Sequence, residues 1–197
     1  MTPATKASAD ASDPRWKGRK VLVAVTGGIA CFKAASLVSR LAQSGATVRV
    51  IMTDAAIRFV TPLTFEALSG QSVVTSVWQS SVGNDVAHIE LAQWPDLVIV
   101  TPATADCIAR IAAGQCDDLV TLCLCALPRR TPVLVAPAMN EQMWQNPVTQ
   151  RNLKTLQELL DYHLVGPEVG WHACRTHGPG RMSAPDRILD AAVKLSG

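Results

Sequence analysis

Four short apolar runs leave this chain few folds to choose from. Lys20–Thr26 (KVLVAVT), Thr47–Met52 (TVRVIM), Asp96–Thr101 (DLVIVT) and Pro132–Ala136 (PVLVA) are rich in Val, Ile and Leu and show little polar alternation. Such a run reads as a strand buried on both faces, the kind parallel sheets use. After the first, a helical spacing runs over Ile29–Gln43 through Ile29, Phe32, Ser36, Leu37, Arg40 and Leu41, ending near Gly45. After the third, Thr104–Ala113 is helical and stops at Gly114. Thr61–Leu68 predicts a short helix with Thr61 as cap and Pro62 at its first position. Asp117–Leu127 is apolar all round, and its length and leading Asp pair favour a buried helix. Asn146-Pro147 opens a helix to Leu160, His163–Val165 is a short strand, and Pro185–Leu195 is a closing helix. Strand then helix, repeated without linkers, predicts an α/β fold. Its mostly parallel sheet is doubly wound, flavodoxin-like or Rossmann-like, with helices on both faces.

Composition narrows the function. Charged residues are only 17% of 197, hydrophobic residues 48%, and the net charge is +2 without a basic stripe. Nucleic-acid binding is disfavoured, and a membrane role finds no apolar run near the required length. So few charges suggest surface covered by other subunits. Residues 1–18 lack an apolar core and read as a disordered tail before a single domain over 19–197. The six cysteines form no CxxC pair, so no metal is expected. Most sit among apolar neighbours and read as reduced core residues of a cytoplasmic protein, Cys174 excepted.

Doubly wound sheets bind ligands beyond the carboxyl ends of their strands. Gly27-Gly28-Ile29-Ala30 joins a strand to a helix and lets backbone N–H groups approach an anion, although it is not the GxGxxG fingerprint. Thr53 and Thr104 follow two other strands, each able to cap a helix or to bond a phosphate or ribityl hydroxyl. Several such exits around one crevice point to a mononucleotide site. His88, in DVAHIEL, reads as structural or catalytic. The last exit, PAMNEQMW (137–144), leaves a buried strand through Pro-Ala-Met-Asn straight into Met-Trp.

These segments together resemble the homo-oligomeric flavin-containing cysteine decarboxylases. PAMNEQMW fits their P-x-M-N-x-x-M-W signature, and GGIACFK resembles their first glycine turn. AHIEL and WPDLVIVTPATADCIARIAAGQCDDL resemble their histidine segment and second flavin loop. ACRTHGPGRM resembles a substrate-recognition flap usually close to A-C-G-D-x-G-x-G-R-M, so Arg175-Thr176 replaces the usual Gly-Asp. The likeness runs from about Lys20 to Leu195.

The resemblance implies FMN as cofactor and 4′-phosphopantothenoylcysteine as substrate, decarboxylated in coenzyme A biosynthesis. Transient oxidation at the thiol-bearing carbon gives a thioaldehyde, into which the electrons of the departing CO2 can move; re-reduction then gives 4′-phosphopantetheine. By that likeness Gly28, Ile29, Ala30 and Thr53 hold the phosphate and ribityl chain. Thr104, Ala105, Asp106 and Cys107 wrap the flavin, with Ala138 adjacent. His88 is a base or orients the carboxylate, Asn140 bonds the carboxylate, and Met143 packs beside the substrate. Cys174 donates a proton in the reductive half. Arg181 either contacts substrate or forms a surface ion pair, and Lys33 either meets a phosphate or is a solvated helix lysine. The resemblance further implies a trimer or dodecamer with FMN between subunits. Two readings stay open beside it: a peptidyl-cysteine oxidative decarboxylase, which lacks the flap cysteine, and a catalytically silent flavin-binding regulator.

Overall fold

The computed structural model describes residues 13–78, 87–171 and 173–195. One five-stranded sheet organises them: β1 (Lys20–Val25), β2 (Thr47–Met52), β3 (Leu97–Ala103), β4 (Val133–Pro137) and β5 (His163–Leu164). All pairings are parallel and the spatial order is β2-β1-β3-β4-β5. The helices are α1 (Cys31–Gln43), α2 (Asp54–Ile57), α3 (Pro62–Ser69), α4 (Ala87–Gln93), α5 (Ala105–Ala112), α6 (Leu119–Cys125), α7 (Glu141–Gln145), α8 (Pro147–Glu158) and α9 (Pro185–Leu195).

The period-2 geometry of a strand explains why the apolar runs do not alternate. Val21, Val23 and Val25 of β1 join one core with Leu37 of α1, Phe65 of α3 and Ile188 of α9. Leu22 and Ala24 face the other core, with Leu91 of α4, Ile108 of α5, Val120 of α6 and Leu153 of α8. Both faces are dry, so both parities must be apolar. Each buried Val or Leu contributes on the order of 1.5–3 kcal/mol, and a charge at Val23 would break the sheet's centre. β2 and β3 flank β1 on opposite sides. The chain therefore reverses direction across the sheet at β1, and a crevice opens where β1 and β3 end.

Local chemistry sets the helix ends. Asp118 and Thr121 form a reciprocal capping box at α6, and Asn146 caps α8 ahead of Pro147. Gly45 and Gly114 take positive φ just after α1 and α5, as expected for helix stops. Thr61 stands at the cap of α3, but its side chain makes no capping bond.

Several expectations need correction. The tail does not extend to residue 18: Pro14–Trp16 is a short 3-10 helix and Trp16 is only 2% exposed, packed into the first core. Residues 1–12 lie outside the described residues. The first helix begins at Cys31 and not at Ile29, and Ile29 and Phe32 are 58% and 60% exposed. Cys31, Cys107 and Cys123 are buried, whereas Cys116 and Cys125, expected inside, are exposed like Cys174. One element was not anticipated as secondary structure. β6 (Glu168–Trp171) and β7 (His177–Arg181) pair as an antiparallel hairpin, separate from the main sheet. HGPGR has no β-branched residue and no apolar alternation, and EVGW, with only Val169 and Trp171, is too short to show a period.

Candidate active site

A cavity of about 910 Å³ lies at the carboxyl ends of β1, β3 and β4. Its floor is held by one buried hydroxyl. Thr26, at the end of β1, donates to the Pro102 carbonyl (2.6 Å) and accepts the Thr104 N–H (3.1 Å). The β1 and β3 exits are thereby tied together. Thr26 was not singled out from sequence; a threonine closing an apolar run was the available signal.

The Gly27–Ala30 turn forms one wall. A Cβ on Gly27 would come within 2.3 Å of the Ala55 Cβ, so only glycine lets the turn approach α2. At Gly28 a Cβ would make ordinary contact with Thr104 Cγ2 at 3.6 Å. No side chain caps α1, in contrast to α2, α5 and α7, which Thr53, Thr104 and Asn140 cap. The Cys31 and Lys33 N–H groups turn to the Gly28 and Ala30 carbonyls, and no side chain competes for the start of this 13-residue helix at the cavity wall. With the positive end of the helix dipole, that is a seat for a phosphate. Thr53 and Thr104 each accept a backbone N–H three residues on, from Ala56 and Cys107 (both 3.2 Å), so the capping alternative holds for both. Both also line the cavity, beside Ala105, Asp106 and Ala138.

The apolar wall is made by Ile29, Phe32, Met143 and Trp171, four exposed hydrophobics that the cavity accounts for. They suit a flat aromatic ligand. The cradle, the uncapped helix and this apolar wall together fit a flavin mononucleotide.

Asn140 enters from the β4 exit as the cap of α7. Its Oδ1 accepts the Met143 N–H (2.8 Å), which leaves the amide NH2 as the group able to donate to a ligand. The exit is latched to the hairpin: the Met139 N–H donates to the Gly180 carbonyl (2.9 Å). Gly180 has φ 121°, and a Cβ there would fall 2.4 Å from the Met139 oxygen. The hairpin brings Cys174 and Arg181 to the same cavity. The Cys174 Sγ lies 3.0 Å from Thr176 Oγ1 across Arg175, whose φ of 63° is unusual for a side-chain-bearing residue.

Charge around the cavity is uneven. Arg110 is neutralised by Asp106 (2.9 Å) and Asp117 (2.7 Å). Lys33 lines the wall and donates to the Met182 carbonyl (2.7 Å), so it is neither freely solvated nor reserved for a ligand. Burial, followed by the nearby Arg181, lowers its pKa. Two residues stand apart from the expected set. Cys107 faces the second core, where burial pushes its thiol up to about 12, so its side chain is structural. His88 lies on α4 and does not line this cavity; its carbonyl accepts the Cys123 thiol (3.7 Å). A smaller cavity of about 330 Å³ lies near the starts of β4 and β5 and holds none of the residues singled out from sequence.

Fold and site define a doubly wound α/β protein that binds a phosphorylated aromatic ligand at its strand exits. The chain belongs to the Flavoprotein family, whose model matches residues 10–197. It is 49% identical over 172 residues to the coenzyme A biosynthesis bifunctional protein CoaBC of Vibrio cholerae, covering 87% of this chain and 42% of that protein. The chain therefore spans under half the length of that relative. Among solved structures, a cysteine-to-serine mutant of PPC decarboxylase complexed with pantothenoylaminoethenethiol superposes with TM-score 0.79 at 32% identity, covering 91% of this chain and 98% of the other. The FMN binding protein AtHal3 superposes with TM-score 0.77 at 33% identity, covering 91% and 96%. Among the described residues no helix is long and apolar enough to cross a membrane.

Proposed function

We propose that residues 19–197 form an FMN-dependent decarboxylase that converts 4′-phosphopantothenoylcysteine to 4′-phosphopantetheine in the cytoplasm. The observation that carries this reading is the meeting of Asn140 and Cys174, from two separate elements, in the cavity that the uncapped start of α1 also lines. When bound, FMN supplies the two-electron redox chemistry, taking up and returning a hydride equivalent. Gly28, Ile29 and Ala30 receive its phosphate, Thr53 the ribityl chain, and Thr104, Ala105, Asp106 and Ala138 surround the ring.

The chain's own groups handle charge and protons. The Asn140 NH2 donates to the substrate carboxylate; an amide does this without adding a repelling negative charge. Met143 and Trp171 exclude water beside the reacting carbons. The carboxylate leaves as CO2 from the oxidised, thioaldehyde form of the substrate, because the C=S group accepts the electron pair. Cys174 then gives its proton to the substrate carbon during re-reduction. Arg181 lines the cavity, and its role in this reading is to meet the substrate's anionic end.

His88 serves as base in the cavity of a neighbouring subunit, since it lies off its own. This reading requires a homo-oligomer, trimer or dodecamer. The exposure of Phe59, Leu63 and Trp78, outside the cavity, supports it.

The test is direct. The purified protein is examined for a flavin spectrum and for CO2 release from 4′-phosphopantothenoylcysteine. A colourless protein that cannot take up FMN sinks the reading. Cys174→Ser separates it from a peptidyl-cysteine decarboxylase: here the variant releases oxidised enethiol and leaves the flavin reduced, whereas the other enzyme is indifferent.

A further inference from the structure

We propose that Thr176 is a positioning residue for the proton-donating thiol: its hydroxyl accepts the Cys174 S–H bond at rest and donates to the sulfur once the proton has left. This deepens the functional reading above and rests on it.

The geometry is specific. Cys174 Sγ and Thr176 Oγ1 are 3.0 Å apart, and either atom can be the donor. The pair sits at the hairpin tip, where Arg175 bends the backbone with φ 63° between the two side chains. Cys174 lines the cavity and Thr176 does not, so the hydroxyl approaches the thiol without competing for the substrate.

A hydroxyl suits both protonation states because it is donor and acceptor at once. Before transfer it accepts from S–H and holds the thiol in one rotamer. During transfer the S–H bond breaks, the proton goes to the substrate carbon, and the electron pair stays on sulfur. The hydroxyl then rotates and donates to the thiolate. Water returns a proton to sulfur for the next cycle. The Thr176 of this chain is therefore compatible with the acid role, although it departs from the usual flap pattern.

The experiment uses the full-length, FMN-loaded protein and iodoacetamide as probe. Alkylation of the Cys174 peptide is followed by mass spectrometry as a function of pH. Thr176→Val keeps the shape and removes the hydroxyl, while Thr176→Ser keeps the hydroxyl. Among the described residues, the other titratable groups near the tip are Arg175, His177 and Arg181 on the hairpin, Glu141 of α7 against Gly178, and Lys33 on the cavity wall; all stay in both variants.

In Thr176→Val the sulfur loses its hydrogen-bond partner, and the alkylation profile departs from that of the wild type. Thr176→Ser follows the wild type. In turnover, Thr176→Val releases a larger share of oxidised enethiol, and Thr176→Ser restores the reduced product. Superimposable alkylation profiles for Thr176→Val and the wild type overturn the proposal. Thr176 is exposed, and melting temperature with bound flavin confirms that each variant is folded. A Cys174→Ser variant that still yields fully reduced product overturns the functional reading on which this rests, whatever the alkylation shows.

Discussion

The β1, β3 and β4 exits and the β6–β7 hairpin meet around one cavity, yet they are built by opposite means. The exits grow out of strands with both faces buried, and Thr26 ties two of them with a buried hydroxyl. The hairpin has two strands, exposed Val169 and Trp171, glycines at 170, 178 and 180, and a tip bent at Arg175. Its attachment to the rest of the fold lies at its base: Met139 to Gly180, Glu168 to Ala184 and Arg187, and Met182, buried in the first core, to Lys33 and Thr101. The rigid part suits pre-formed binding, where any shift of the cradle costs affinity. The lightly anchored part suits proton transfer over a bound substrate, where access must alternate with exclusion of water. Substitutions should therefore split into those that cost stability and those that cost chemistry.

Asn140, where the two parts touch, gives the largest expected effect. Aspartate caps a helix as well as asparagine does, so Asn140→Asp should melt within about 1 kcal/mol of the wild type. It places a carboxylate against the substrate carboxylate, and CO2 release should drop on the order of 10²- to 10³-fold. A parallel collapse in melting temperature would mean that Asn140 acts only as a cap.

On the rigid side, Thr26→Val leaves the Thr104 N–H without its acceptor and the Pro102 carbonyl without its donor. Destabilisation of about 1–3 kcal/mol is expected by urea titration, together with weaker flavin retention. No comparable loss should follow Cys174→Ser, because that side chain is exposed.

A pH effect also belongs to the sheet side. Burial pushes the Cys107 and Cys123 thiols up to about 12, from 9.0. Below pH 9 the folded and unfolded chains bind the same thiol protons, and this contribution to stability is complete. As pH rises from 9 towards 12 only the unfolded chain sheds them, so stability falls by about 1.4 kcal/mol per pH unit for each thiol. Cys107→Ala should flatten this decline in urea midpoints measured from pH 9 to 11. An unchanged slope would place that thiol in contact with solvent.

The smallest effect belongs to the hairpin tip. Arg175→Gly relieves a side chain held at φ 63° and also frees the unfolded chain, so the net gain should stay below about 1 kcal/mol. Turnover should survive if the bend, rather than the guanidinium, brings Cys174 to Thr176. A loss of activity without loss of stability would assign the guanidinium itself a contact with substrate.

Legibility followed the same division. The sheet was readable because burial on two faces imposes an apolar run, and the strand exits because Gly, Thr and Asn stand where helices must begin. The start of α1 was placed too early: Ile29 precedes the helix, and with Phe32 it lines the cavity. Cys107 was placed beside the ligand by the family likeness, whereas the helix turns its side chain inward. The hairpin escaped because strands built from Gly, Pro and His carry no periodicity; a motif likeness, not a pattern, pointed to it.

Sequence by itself determined the parallel α/β layering, the helix start at Asn146-Pro147, the candidate caps at Thr53 and Thr104, and the residue types from which a flavin site is made. These depend on contacts a few residues apart or on the solvent preference of each side chain. Only the tertiary structure decided that α1 starts uncapped at the cavity, that Thr26 joins two strand exits and that His88 lies off its own site. It also decided that Thr176 stands against Cys174. Each depends on where distant segments come to lie, which the packing of helices on both faces of the sheet sets and no local spacing encodes.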